Sequence, residues 1–230
     1  MSDFPRVAEA DATGKVQAAF VDIKTTLGVA AVGRLFEELA VYPWFLQLAW
    51  RNLKPNASTA YFHRIARELE DMGVRTAGRR RHRATNEGAD VSPLEARLDL
   101  DAKLLTSAAA LRYGTNGQLP KMLWLAPSDK QTVAPTKIDI MPADEPEPVE
   151  ENKLAIELRR HAGLCAESLP YRMEISATAC RQSGLSEDDI DAVRAIVNAA
   201  WDRQPRALLA AASMTASGAM SASSEPVAAA

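Results

Sequence analysis

The sequence predicts an all-α helical bundle, on three observations. Apolar residues recur at three- and four-residue spacing, as in Val16, Ala19, Phe20, Ile23 and Leu27, or Ile190, Val193, Val197 and Trp201. Two helix starts carry capping patterns, at Ser92-Pro93-Leu94-Glu95 and at Ser186 to Asp189. Period-two alternation is confined to the short run Lys137–Met141.

In chain order, residues 1–13 are expected to fray, and the first amphipathic helix ends near Gly28. Val29, Val32, Leu35, Phe36 and Leu39 mark a second apolar face. Pro43 suits the first turn of a third helix bearing Trp44, Phe45, Leu48 and Trp50, which Lys54-Pro55 should stop. Asn56 and Ser58 are candidate caps for a fourth helix, with Phe62, Ile65, Leu69 and Met72 inward and Gly73 as its stop. A polar loop holding the basic cluster Arg79–Arg83 follows.

The helix opened by Pro93 carries Leu94, Leu98, Leu104, Leu105, Ala108 and Leu111 to Tyr113, where Gly114-Thr115-Asn116-Gly117 should break it. Pro120 to Ala126 reads as a short apolar helix. Residues 127–152 crowd prolines and acidic residues with few apolar anchors, the composition of a linker. Leu154, Leu158 and His161 share one later face; Tyr171, Ile175 and Ala179 share another, ended by Gly184. Pro205 should end the Ile190–Trp201 helix, leaving a disordered Ala/Ser tail. The expected organisation is therefore a first helical unit over 1–126, a linker over 127–152, a degenerate second half over 153–206 and a tail over 207–230.

Aligning Gly28 with Gly163 also sets Asp22 over Glu157, Ile23 over Leu158, Lys24 over Arg159, Val29 over Leu164 and Phe36 over Tyr171. These matches point to two degenerate helical repeats about a pseudo-twofold axis, with chance likeness of two amphipathic helices as the alternative.

Composition limits the functions. A net charge of −3 gives no bulk attraction to nucleic acid or anionic membrane. No apolar run is long enough to span a bilayer, and the polar, acidic N-terminus does not resemble a secretory signal, so a cytoplasmic protein is expected. Cys165 and Cys180 read as reduced, apolar thiols. His63, His82 and His161 show no ligand spacing, so no metal is expected. Without interleaved aromatics, Arg79–Arg83 reads as a solvated loop. Tyr42, Trp44, Trp50 and Trp124 read as core.

The segments DIKTTLG (22–28), YPWFLQLAWRNLKP (42–55) and YGTNGQLPKMLWLA (113–126) together resemble the group I 2-haloacid dehalogenase family, also called the halocarboxylic acid dehydrogenase family. The resemblance implies an all-helical pseudo-dimer that hydrolyses 2-haloalkanoic acids without cofactor or metal. In that mechanism an aspartate of the second repeat activates water for direct attack on the halogen-bearing carbon, and an asparagine of the first repeat helps hold the water. Asn116 stands at the asparagine position. Where the family has its aspartate before an aromatic–arginine pair, this chain has Pro170 before Tyr171-Arg172, and Leu35 stands at the equivalent first-repeat position. A general base would have to come from elsewhere; Asp139 and Glu174 are the candidates named on residue type alone.

Asn116 alternatively supports a turn in its Gly-rich setting. Arg172 either clamps a substrate carboxylate beside Tyr171 or pairs with Glu167 or Glu174, and Arg34 faces the same choice with Glu37 and Glu38. The expected ligand is a small organic acid, with neither nucleic acid nor membrane as partner and a homodimer as the conceivable assembly. A catalytically silent module of the same fold, binding a ligand or another protein, is the alternative. The segments HAGLCAESLPYRMEIS and ACRQSGLSEDDI also resemble alkylhydroperoxidase-type helices, but that family's cysteine positions fall on Leu169 and Arg172, which argues against its thiol chemistry.

Overall fold

A computed structural model describes residues 4–76, 93–116, 149–173 and 175–221; for residues 76, 116, 149–152 and 215–221 it describes the backbone alone. The expectations for Arg79–Arg83, Pro120–Ala126, Lys137–Met141, Asp139 and Glu174 lie outside these residues, as does most of the linker. All regular structure among the described residues is helical: α1 (Gly14–Leu27), α2 (Arg34–Leu39), α3 (Pro43–Ala57), α4 (Ala60–Thr76), α5 (Pro93–Asn116), α6 (Val149–Glu167), α7 (Ala177–Gln182) and α8 (Glu187–Ser221), after a 3-10 turn at Glu9–Asp11.

Several ends follow their local chemistry. Gly28 closes α1 in the left-handed conformation, φ 64°. Pro43 opens α3. Ser186 and Asp189 cap α8 reciprocally: each main-chain N–H donates to the other's side chain, and the Ser186 hydroxyl donates to Asp189 at 2.7 Å.

Other ends move. Residues 4–13 pack rather than fray: Ala12 is in the core, and Glu9 bonds Lys24 and the Val32 N–H. The apolar run at Val29–Val32 precedes α2, because Gly33 takes φ 79° and meets Leu104 of α5. Pro55 lies inside α3 rather than stopping it, and α4 passes through Gly73. The α4 cap is Thr59, whose hydroxyl accepts from the Phe62 N–H at 3.2 Å; Asn56 is occupied elsewhere. Pro205 does not end α8, which continues to Ser221 with Leu208, Leu209, Ala211 and Ala212 buried. Proline forfeits one helical hydrogen bond, and burial of that apolar face offsets the loss.

The helix expected through Tyr171 and Ile175 is absent. This stretch crosses as irregular chain, and only α7 is helical before Gly184. Gly163 lies inside α6, unlike Gly28 at the end of α1, so the alignment of those two glycines is the wrong register. Element order nonetheless recurs: a long helix, an irregular crossing, a six-residue helix and another long helix occur as α1–α2–α3 and as α6–α7–α8.

α5 is the axis of the packing. Along it, Ala102, Leu105 and Ala109 join one buried cluster with α4, α6 and α8, while Leu104, Ala108 and Leu111 join the other with α1, α2 and α3. Burial on both sides fits the stretch from Leu104 to Leu111, buried throughout and made of aliphatic and small side chains, and among the described residues α8 is the most extensive partner of α5.

Candidate functional site

The two chain segments singled out from sequence meet at the C-terminal end of α5. The Ile175 N–H donates to the Gly114 carbonyl at 2.9 Å, and Met173 packs so closely that a Cβ on Gly114 would sit 3.1 Å from the Met173 Cβ. Gly114 therefore continues the helix instead of breaking it, and its missing side chain admits the crossing segment. Asn116 ends α5 half a turn further on. The segment is also held from α3. Asn56 Nδ2 donates to the Tyr171 carbonyl at 2.8 Å, while the Tyr171 N–H donates to Asn56 Oδ1 at 2.9 Å. The Tyr171 ring itself is exposed, as is Arg172.

Arg34 opens α2. Its Nε donates to Glu38 at 2.7 Å, and Arg203 of α8 grips both Glu38 oxygens at 3.2 and 2.9 Å. Glu38 is fully buried, so this is an internal ion cluster tying α2 to α8 rather than the surface pair expected. Neighbouring Gly33 touches Leu104, which precedes Gly114 by about 15 Å along α5. Leu35 is buried in the core.

Sequence reasoning missed Arg112, one turn before Asn116 on α5. Its guanidinium lies 5.5 Å from the Trp201 ring, half-buried, and its Nε has no hydrogen-bond partner among the described residues. Burial pulls its pKa below the usual arginine value, with Asp202 opposing the fall, though an arginine stays charged at neutral pH. A desolvated cation with an unused donor is suited to a carboxylate. No motif marks it; only the α5–α8 packing does.

The motif residues of the first half are largely structural. Trp50 is buried and its Nε1 donates to Asp22 at 2.7 Å, with Lys54 on the same carboxylate at 2.8 Å. The Lys54 and Trp50 hydrogen bonds hold the Asp22 carboxyl below the usual carboxylate range. Trp44 departs from the core expectation: it is 56% exposed, under the Lys15 ammonium, and lines an open 760 Å³ groove with Gln47, Arg51 and Gln182. That groove contains none of the residues at the α5 end. Trp124 lies outside the described residues.

No helix among the described residues is long and apolar enough to cross a membrane. A second cluster, Glu68, His161 and Cys165, sits between α4 and α6.

No protein-family model matches the chain. A configuration-inverting 2-haloacid dehalogenase of Alcaligenes xylosoxydans xylosoxydans is 32% identical over 75 residues, which is 33% of this chain and 25% of that relative. The structure resembles a D-2-haloacid dehalogenase mutant with a TM-score of 0.70 at 17% identity, over 94% of this chain and 96% of that one. A complex of such a mutant with D-2-CPA gives 0.68 at 18% identity, over 93% and 96%. A complex of a D-2-haloacid dehalogenase with L-LA gives 0.69 at 18%, over 94% and 96%. At these identities the structural likeness establishes the fold.

Proposed function

We propose that this chain, a relative of the group I 2-haloacid dehalogenases, binds small 2-substituted carboxylic acids at the C-terminal end of α5, and that the site is built for hydrolytic dehalogenation. The observation that carries the reading is the meeting of the Tyr171–Ile175 segment with the last turn of α5, inside a fold shared over nearly its whole length with D-2-haloacid dehalogenases. Asn116 would hold the attacking water, and Arg112 or Arg172 would take the substrate carboxylate. Water oxygen forms the new bond to C2, the carbon–halogen bond breaks with halide leaving, and the water proton passes to a carboxylate base. The test is halide release from each enantiomer of 2-chloropropionate. The wild type should release halide, and Asn116→Ala should slow release about a hundredfold if it positions the water. Silence with both enantiomers would remove the hydrolytic claim.

A second reading, a catalytically silent ligand-binding module, is favoured by Pro170 in front of Tyr171, a residue that cannot accept a proton. On this reading 2-chloropropionate or lactate raises the melting temperature while halide stays on carbon.

A further inference from the structure

The cluster between α4 and α6 joins three different donor types at short range. His161 Nε2 lies 3.1 Å from Glu68 Oε2 and 3.7 Å from Cys165 Sγ. All three donor atoms lie within 4.8 Å of one another. His161 and Cys165 stand one turn apart on α6 and share a face, while Glu68 reaches across from α4.

Hydrogen bonding alone leaves this arrangement incomplete. Both the thiol and the carboxylate address the same imidazole nitrogen, which cannot donate to Glu68 and accept from Cys165 at once. A thiol–imidazole–carboxylate relay uses both ring nitrogens, so nucleophilic catalysis does not fit. A cation in the middle satisfies all three. For tetrahedral zinc, bonds of about 2.0 Å to nitrogen and oxygen and about 2.3 Å to sulfur place N and O about 3.3 Å apart and N and S about 3.5 Å apart. The observed N···O and N···S separations are within about 0.2 Å of those values.

We propose that Glu68, His161 and Cys165 form a binding site for a divalent cation of the zinc class, joining α4 to α6. Glu68 Oε2 is the ligand, and Arg64 lies 3.7 Å from the other oxygen. His161 binds through Nε2 and Cys165 as thiolate, releasing its proton to solvent on binding. The fourth position takes water, which is consistent with side-chain exposures of 33% at His161 and 46% at Glu68. The nearby Tyr61 hydroxyl, 3.5 Å from the Cys165 carbonyl, adds a second tie between the same helices. Histidine spacing alone concealed this site, because one ligand comes from α4 and the other two from α6.

Cobalt(II) titrated into the reduced, metal-free full chain tests the site. One equivalent should produce thiolate-to-cobalt absorption in the near ultraviolet together with the intense visible bands of four-coordinate cobalt. Zinc should displace it and shield Cys165 from iodoacetamide. His161→Gln and Cys165→Ser should abolish the absorption, and Glu68→Gln should weaken affinity about tenfold or more; Cys180→Ser should leave it unchanged. Circular dichroism confirms that each variant is folded, and alkylation protection in the wild type supplies a readout independent of any variant. Absence of the cobalt bands, or their persistence in both His161→Gln and Cys165→Ser, overturns the proposal.

Discussion

Asn56, at the end of α3, takes both main-chain polar groups of Tyr171, 115 residues further along the chain, in two hydrogen bonds of 2.8 and 2.9 Å. An amide is the side chain that offers a donor and an acceptor at this spacing, and the 0% exposure of Asn56 keeps water from competing. The first half of the chain thereby sets the path of the Tyr171-Arg172 segment.

Removing that amide should loosen the segment. Asn56→Ala leaves a backbone N–H and C=O without partners and should cost about 2–3 kcal/mol, read by urea unfolding. Asn56→Asp places an acceptor-only carboxylate against the Tyr171 carbonyl at neutral pH and should be destabilising there. At low pH its protonated carboxyl regains a donor, so the loss should shrink. Equal stability of Asn56→Ala and wild type would show that the pair contributes nothing.

Glu38 makes a second long-range tie. Its carboxylate is fully buried and relies on Arg34 and Arg203, so Arg203→Met strands a charge that Arg34 alone must satisfy. A loss of about 3 kcal/mol is expected, little altered by salt because the pair is shielded from counterions. The double variant Glu38→Leu with Arg203→Met should recover much of it.

Gly33 is held at φ 79°, and an added Cβ would come within 2.6 Å of Leu104 Cδ1. Gly33→Ala should therefore destabilise by about 2–3 kcal/mol, from backbone strain plus the clash. Pairing it with Leu104→Ala relieves the clash but not the strain, so only partial rescue should appear.

His63 predicts an acid-side slope. Burial first, then the Lys103 and Arg67 charges, lower its pKa, with Asp99 opposing. A lowered histidine favours the neutral ring in the folded state. Its contribution is thus present above the unfolded value of about 6.5 and is lost as pH falls through the lower folded value. The melting temperature should drop across that window, and His63→Gln should flatten this part of the curve. Asp22, whose carboxyl is held low, adds a separate loss at more acid pH, as its salt-bridged form is protonated.

Arg112 bears on the proposed ligand site. Arg112→Gln should raise KM for 2-chloropropionate about tenfold or more, or erase the thermal shift given by small carboxylates, because a charge-assisted contact is worth about 1.5–3 kcal/mol. An unchanged KM and an unchanged shift would assign carboxylate recognition to another side chain.

The helical class, most helix starts and the inward faces could be read directly from the chain, because these depend on residues within one or two turns of each other. Capping at Ser186 and Asp189, the Gly28 stop and the first-half resemblance were legible for the same reason. Pro55, Gly73, Gly114 and Pro205 misled, since each disfavours a helix locally while burial of the flanking apolar face keeps it intact. It took the packed molecule to pair Asn56 with Tyr171 and Glu38 with Arg203, to half-bury Arg112 beside Trp201, and to bring Glu68 to His161 and Cys165. Partners so far apart in sequence depend on the angle and distance at which whole helices pack, a quantity that no local spacing encodes.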